Sequence, residues 1–190
     1  IVNLIIPYRK QTYVNFYQYP PPVKSSIKEK RLLINRLNLD KKMSGKKEFT
    51  IFVSIPYCRT KCNSCPFFKN LIPSNIKIEK VFDEYLPLLL KQIKNYSSSM
   101  RFSKAYCSAI YIGGGTASLM FPRHVGILVQ QIKDSFNIKK DAEITFEGNP
   151  SDMDRRYLKE LRKIGVNRLS IGLQSFKDDI LKKSLNASHH

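Results

Sequence analysis

The sequence has few acidic residues, few cysteines and no long apolar run. Its 190 residues include 15 acidic side chains against 33 basic ones, and only four cysteines. No window approaches the roughly 18 consecutive apolar residues that a membrane-spanning helix needs, so we predict no membrane span. With so few cysteines and no visible secretory signal, we expect a reducing, cytoplasmic location and not a disulfide framework.

The shortage of acidic residues leaves a formal net charge of +18. Basic proteins can bind nucleic acids, because their lysines and arginines displace counterions from phosphates. Here the lysines are scattered, and no helix-turn-helix, zinc-finger or RNA-binding signature accompanies them. The sequence therefore argues against a nucleic-acid partner, and it is compatible with a small polyanionic ligand such as a substrate that carries carboxylates.

Three of the four cysteines share one short segment. Cys58, Cys62 and Cys65 have the spacing C-x3-C-x2-C and directly follow a strand-like run at residues 49–55. Three thiolates on one loop can hold three corners of a cubic [4Fe–4S] cluster, which leaves one iron open to a ligand that is not protein. Structural zinc would need a fourth ligand, yet the nearest histidine is His124 and the sequence has no second C-x2-C pair.

The fourth cysteine, Cys107, lies far from the other three, inside an apolar run. Cysteine is often buried as a small apolar residue, so we expect Cys107 to belong to the core and not to a metal site. A disulfide among the three clustered cysteines would leave one thiol over. On the cysteine spacing alone, an iron–sulfur cluster remains one hypothesis among these alternatives.

The chain divides into two parts. Residues 1–48 are predicted to form an N-terminal extension with a helix at 25–39 and a basic linker, and residues 49–190 to form the main domain. In the main domain we predict strands at 49–55, 105–112, 142–146 and 166–171, and helices at 76–96, 122–136, 151–164 and 177–184. Alternating strands and helices predict an α/β fold with a parallel sheet, of which four βα units are visible.

Each predicted strand is followed by a polar or glycine-rich segment. These segments are the cysteine loop, Gly113–Thr116, Glu147–Pro150 and Gly172–Ser175. In parallel α/β folds the ligand site lies at the carboxyl ends of the strands. Because four segments that are distant in sequence should meet at one rim of the sheet, we predict that this rim is the functional site.

The residue types at this rim suit ligand binding. Consecutive glycines let backbone amides approach a ligand, although they also suit a tight turn. The carboxylate of Glu147 could accept hydrogen bonds from a ribose or an amine, although it could equally be a solvated charge at a strand end. Gln174 offers both a donor and an acceptor, and Ser175 is expected to cap the next helix.

Four segments together carry a specific resemblance. SIPYCRTKCNSCPFF, YIGGGTASL, EITFEGNP and GVNRLSIGLQSF, in this order, resemble the radical S-adenosylmethionine (SAM) family. Within it, the chain is most similar to the oxygen-independent coproporphyrinogen oxidase-like enzymes, which include a heme chaperone and anaerobic heme-degrading enzymes. The resemblance covers about residues 49–185 and implies a partial (β/α)6 barrel. It also implies that SAM binds the open iron and is cleaved by one electron to a 5′-deoxyadenosyl radical.

The resemblance assigns roles to individual residues. It implies three cluster ligands, Cys58, Cys62 and Cys65. It implies contacts to SAM at Gly114, Gly115, Thr116, Glu147 and Gln174. The position between the last two cysteines contacts adenine in this family, commonly through an aromatic side chain. Here it is Ser64, so only its backbone could make that contact.

The chain also departs from the family pattern. Where the family commonly has Tyr-x-His-Ile-Pro, this sequence has Phe52 and Ser54 in place of the tyrosine and the histidine. Ala117 replaces a proline after the glycine segment, and no arginine appears in residues 185–190, where the family has one. The last two strands and the C-terminal domain of the family are missing, so we expect a C-terminally truncated barrel.

These observations yield one main functional hypothesis with three alternatives. We expect a cytoplasmic radical SAM enzyme, of oxidoreductase or methyltransferase type, that opens or methylates a tetrapyrrole ring without oxygen, with heme as the preferred substrate. It would take its electron from a flavodoxin- or ferredoxin-type donor, and its basic surface would suit propionate groups. The alternatives are an oxygen-independent coproporphyrinogen III oxidase, a heme chaperone without radical turnover, and an inactive fragment.

Overall fold

A computed structural model of the protein describes residues 48–63, 65, 70–99 and 102–184. The predicted extension, including its helix at 25–39, lies outside the described residues apart from Glu48, where the first strand begins. The adenine-contact position Ser64 also lies outside them, as does the segment 185–190.

The described chain alternates strands with helices. The elements are β1 Glu48–Ile55, β2 Tyr57–Cys58, β3 Asn70–Leu71, α1 Ile78–Ser97, β4 Tyr106–Gly114, α2 Pro122–Ser135, β5 Asn137–Gly148, α3 Arg155–Ile164 and β6 Arg168–Ile171. Two 3₁₀ turns, Ala117–Leu119 and Pro150–Asp152, follow β4 and β5, and a π-helical turn spans Ile180–Ser184. Among the described helices, none is both long and apolar enough to cross a membrane.

The main sheet has four parallel strands in the order β1-β4-β5-β6. Parallel neighbours require crossover connections, which α1, α2 and α3 provide. Ile55 lies opposite Gly114, and Gly148 lies opposite Ile171, so the carboxyl ends of all four strands meet at one rim. The predicted α/β fold with a parallel sheet is therefore confirmed.

The two faces of the sheet differ in polarity. Successive side chains of a strand point to opposite faces. One face presents Val53, Ile112 and Phe146, which are fully buried. They pack with apolar residues of the helices, namely Phe82, Leu86, Leu89, Ile93, Val125, Leu128, Val129, Ile132 and Leu161. The residues of alternate parity, including Tyr111 and Glu147, lie on the other face. The helices thus cover one face, and the polar groups lie on the opposite one.

Two predicted boundaries shift for local reasons. Strand β5 begins at Asn137, not at residue 142, because its first residues pair with Tyr106 and Cys107 before the register shifts. Because residues 139–141 are charged, the hydrophobic pattern did not indicate a strand there. Helix α3 begins at Arg155, not at 151, because the Asp154 carboxylate accepts a hydrogen bond from the backbone amide of Tyr157 at 2.7 Å and caps the helix there.

A polar contact joins α1 to α2. The side chain of His124 is buried, and its Nδ1 accepts a hydrogen bond from the Phe121 amide at 3.2 Å. Nε2 therefore carries the proton and lies 3.0 Å from the Asp83 carboxylate, which also binds Arg123 at 2.9 Å. The hydrogen bond from His124 lowers the pKa of Asp83 below its usual value, and the hydrogen bond from Arg123 makes the next largest contribution.

This lowered pKa predicts a pH dependence of stability. A carboxylate whose pKa is lower in the folded state stabilises the fold above its unfolded pKa and loses that effect as the pH falls through the folded value. We expect the urea midpoint of the wild-type chain to fall below about pH 4. Asp83→Asn should flatten this slope. Asp134→Asn, an exposed site on α2, should leave the slope unchanged; equal slopes in wild type and Asp83→Asn would contradict the assignment.

The edge of the sheet at β6 is apolar. Within the described residues β6 is a terminal strand; its last residue, Ile171, is 52% exposed, and Phe176, which follows it, is 92% exposed. An unpaired apolar edge favours association between chains.

We expect these 190 residues, expressed alone, to self-associate, and Ile171→Lys to reduce the association measured by light scattering. Leu88→Lys provides the matched control, because Leu88 is also exposed but lies on α1. A monodisperse wild-type chain would refute this expectation.

Candidate functional site

The cysteine loop is closed at its base by a short parallel ladder. Strand β2 pairs with β3, and the carbonyl of Cys58 accepts a hydrogen bond from the Ile72 amide at 3.0 Å. Within the loop, the Cys65 amide donates to the carbonyl of Cys62 at 3.2 Å, which makes a tight turn between these two cysteines. The ladder holds the two ends of the loop together, and the hydrogen bond holds Cys65 close to Cys62.

None of the four cysteines forms a disulfide. Cys58 is buried, whereas Cys62 and Cys65 are half-buried at the rim. Cys107 lies in β4 and is completely buried. Its burial raises the pKa of the thiol to about 11, so it stays protonated at neutral pH. The expected core position of Cys107 is confirmed.

The glycine-rich segment packs directly against this loop. The Thr116 hydroxyl donates to the sulfur of Cys58 at 3.3 Å, and the Gly115 amide donates to the carbonyl of Ile55 at 2.7 Å. A Cβ atom on Gly115 would lie 2.6 Å from the carbonyl oxygen of Tyr57 and 3.0 Å from the Cys58 sulfur. Glycine at this position therefore permits the close approach of the two segments. This contact comes in addition to the SAM contact predicted for Gly115 and Thr116, which remains a prediction.

Glu147 lies at the centre of a polar row across the sheet. Pairing aligns Ser54 with Gly113 and Glu147 with Ser170 on the face that the helices leave open. The Tyr111 hydroxyl oxygen is 3.0 Å from Glu147 Oε2 and 3.3 Å from the Ser170 hydroxyl. Burial raises the pKa of Tyr111, and the charge of Glu147 adds to that effect. The phenol therefore keeps its proton and donates a hydrogen bond to the carboxylate.

Gln174 lies on the segment that leaves β6 at the same rim, and its side chain is exposed. Gly114 occupies the end of β4 with a φ of 115°, a left-handed conformation that favours glycine. Ser175 accepts a hydrogen bond from the Lys177 amide at 3.0 Å, close to the position expected for a cap. The described site residues thus lie on segments that leave the sheet at one rim.

Sequence reasoning missed two parts of this rim. Tyr111 could have been found, because it lies two residues before Gly113 and therefore on the same strand face. Asp152 gave no comparable signal. Its partners, Arg59 and Ser118, are 93 and 34 residues away in sequence.

The thiols can be tested against the cofactor that the sequence implies. Among the described residues, no three cysteine, histidine or acidic side chains converge on a position for a single metal ion. Ligands of a cubic cluster bind different irons, so they stand farther apart than ligands around one ion. The donor set consists of thiols alone, which suit iron–sulfur clusters, and no described histidine lies in the loop. The loop therefore fits a cluster better than a mononuclear site.

These features define an α/β protein with a three-thiol loop at the carboxyl rim of a parallel sheet. A family model described as the radical SAM superfamily matches residues 52–190. The chain belongs to the radical SAM superfamily.

Three relatives illustrate this placement. The heme chaperone HemW of Buchnera aphidicola subsp. Schizaphis graminum is 37% identical over 134 residues, which cover 70% of this chain and 34% of the relative. Anaerobilin synthase of Escherichia coli O157:H7 is 30% identical over 138 residues, 73% of this chain and 30% of the relative. The structure of coproporphyrinogen III oxidase (HemN) from Escherichia coli, described as a radical SAM enzyme, matches with a TM-score of 0.69 and 24% identity over 80% of this chain and 33% of that one. The chain thus spans about a third of the length of these relatives.

The close approach at Gly115 gives a testable prediction. Gly115→Ala should destabilise the fold by about 1–3 kcal/mol, because the new methyl group would overlap backbone atoms that cannot move without displacing the loop. Gly126→Ala is the matched control: it lies within α2, where an added Cβ would have its nearest neighbour at 3.7 Å. Alanine should be neutral or stabilising there. The measurement is urea unfolding of both variants; equal stability of the two would contradict the packing argument.

Proposed function

We propose that Cys58, Cys62 and Cys65 hold a [4Fe–4S] cluster and that SAM binds its remaining iron. The observation that carries this proposal is the position of three cysteines, none of them in a disulfide, on one loop that packs against the glycine segment at the carboxyl rim of a radical SAM chain. When bound, the cluster and SAM would supply one-electron chemistry that produces a carbon-centred radical.

The residues of the chain position these groups. Thr116 donates a hydrogen bond to the Cys58 sulfur, which would stabilise negative charge on that ligand. Glu147 would accept hydrogen bonds from the SAM ribose, and Tyr111 holds its carboxylate in place. Gly114, Gly115 and Gln174 would make the remaining SAM contacts, with the backbone of Ser64 at the adenine.

We further propose a tetrapyrrole as the substrate, with heme preferred. The named activities of the relatives, heme chaperone, anaerobilin synthase and coproporphyrinogen III oxidase, support this class. The net charge of +18 suits propionates and also a flavodoxin- or ferredoxin-type electron donor with a negative surface. On the open face of the sheet, the rings of Phe52 and Tyr111 lie 5.5 Å apart and offer an apolar surface.

A second candidate function is heme transfer without radical turnover. Several relatives that are 31–37% identical are named heme chaperones, which favours this reading as strongly as the enzymatic one.

Detection of 5′-deoxyadenosine separates the two functions. The reconstituted full chain is reduced anaerobically with SAM, in the presence and in the absence of heme. Heme-dependent 5′-deoxyadenosine with a changed tetrapyrrole supports the enzyme. Stoichiometric heme binding without 5′-deoxyadenosine supports the chaperone and contradicts the enzyme.

Ligand substitutions test the cluster. Cys58→Ser, Cys62→Ser and Cys65→Ser should each lower iron and sulfide content after anaerobic reconstitution by at least about tenfold, since weakening even outer contacts of a metal site has effects of that size. Cys107→Ser is the matched control and should keep the wild-type iron content, because its sulfur is buried in the core. Electron paramagnetic resonance of the reduced protein identifies the cluster type. Full iron content in all three rim variants would exclude this ligand set.

Substitution of Glu147 tests the SAM site. Glu147→Gln should weaken SAM binding about tenfold or more in equilibrium dialysis, because hydrogen bonds to a charged acceptor are stronger than those to an amide. Glu143→Gln is the control: Glu143 lies on the same face of β5, four residues earlier, and pairs with Arg168 at 3.0 Å. Equal SAM affinity of the two variants would contradict a contact between Glu147 and SAM.

A further inference from the structure

We propose that Asp152 is a positioning residue that holds the cysteine loop against the carboxyl ends of β4 and β5. Asp152 lies in the 3₁₀ turn after β5 and is not one of the residues expected to touch the cluster or SAM. The inference rests on the proposed function in so far as the positioned loop is the cluster loop.

The two carboxylate oxygens of Asp152 bind two different segments. Oδ1 accepts a hydrogen bond from the Arg59 guanidinium at 2.8 Å, and Oδ2 accepts one from the Ser118 hydroxyl at 2.7 Å. Arg59 directly follows the proposed ligand Cys58, and Ser118 lies in the 3₁₀ turn after the glycine segment. A single side chain therefore connects three of the four segments that form the rim.

Ser118 extends this connection to the backbone. Its side-chain oxygen also accepts a hydrogen bond from the Asn149 amide at 3.0 Å, directly after β5. A Cβ on Gly148 would lie 2.5 Å from the Ser118 Cβ, so the two segments touch at this point. Movement of Asp152 would thus disturb the strand end that carries Glu147.

Burial distinguishes this contact from an ordinary surface ion pair. Only 6% of the Asp152 side chain is exposed, although its partner Arg59 is 50% exposed, whereas both side chains of the pair Lys80–Glu84 are 72% exposed. Exposed pairs contribute little, but a buried carboxylate depends on its partners, and removal of one of them leaves an uncompensated polar group. The loop should therefore loosen when either Asp152 or Arg59 is changed.

The contact between Arg59 and Asp152 determines how Cys58 and Glu147 are placed relative to each other. The Arg59–Asp152 contact joins residues 93 positions apart, one next to the first thiol and the other five residues beyond Glu147. It fixes the proposed cluster ligand relative to the proposed SAM-binding carboxylate. A purely structural contribution would change overall stability without selectively exposing Cys58.

Cysteine labelling in the apo chain tests this without the cofactor. Cys58 is 5% exposed and Cys107 is fully buried, so each should react slowly with iodoacetamide in the wild-type chain. In Asp152→Asn and in Arg59→Ala, we expect alkylation of Cys58, resolved by mass spectrometry, to speed up about tenfold, the size of effect that hydrogen bonds to charged groups produce. Cys107 should remain slow. Asp134→Asn, which changes an exposed carboxylate near the C-terminal end of α2, is the control and should alter neither rate.

A second readout concerns the cluster itself. After anaerobic reconstitution with ferrous iron and sulfide, both variants should retain less iron than wild type, and the electron paramagnetic resonance signal of the reduced form should shift or broaden. The double variant should be no worse than Asp152→Asn alone, because Asp152→Asn already removes the charged contact with Arg59.

The outcomes separate the two proposals. Unchanged Cys58 labelling and unchanged iron retention would overturn the role of Asp152, and so would equal acceleration at Cys58 and Cys107, which indicates general unfolding. If wild type takes up no iron but Asp152→Asn still exposes Cys58 alone, the cluster proposal fails and the positioning of the loop by Asp152 stands.

Discussion

The site depends on the close contact between the glycine segment and the cysteine loop. Gly115 donates to the carbonyl of Ile55 at the end of β1, and Thr116 reaches the sulfur of Cys58. Two adjacent parallel strands end at the same level, so their following loops must share the space above the rim. Only a residue without a Cβ lets them meet at this distance. The thiol loop is therefore placed by the sheet, and not by its own short ladder alone.

The fold and the convergence of the strand ends at one rim could be predicted from the sequence because their signals are local. Apolar runs such as 49–55 and 105–112 mark strands, helical spacing marks α1 and α2, and each strand end carries an unusual segment. Because the strands are parallel, the segments that follow them all lie at one rim of the sheet. The cysteine spacing and the order of the four motifs added the family, which the match over residues 52–190 supports.

What could not be predicted depends on pairs of residues that are distant in sequence. The first part of β5 forms because Asn137 pairs with Tyr106 of β4, although charged residues follow Asn137. Asp152 resembles a surface residue in a turn, and only folding places it between Arg59 and Ser118. Tyr111 could be placed on the same strand face as Gly113, but its contact with Glu147 follows only from the pairing of β4 with β5. Which side chains meet at the rim depends on how neighbouring strands pair, and the local hydrophobic pattern of each strand does not determine that pairing.

Three glycines at the rim each clear space for a different neighbour. An added Cβ at Gly113 would lie 2.2 Å from the Glu147 carboxylate, one at Gly115 would meet the cysteine loop, and one at Gly148 would meet Ser118. Glycine in a strand costs conformational entropy and weakens the strand, so its use at the ends of β4 and β5 needs a compensating gain. The gain is the close approach of three side chains to the backbone at the rim, which larger residues than glycine would prevent. These side chains are Glu147, Cys58 and Ser118. These close contacts restrict the movement of the rim segments, which suits the proposed cluster and SAM site.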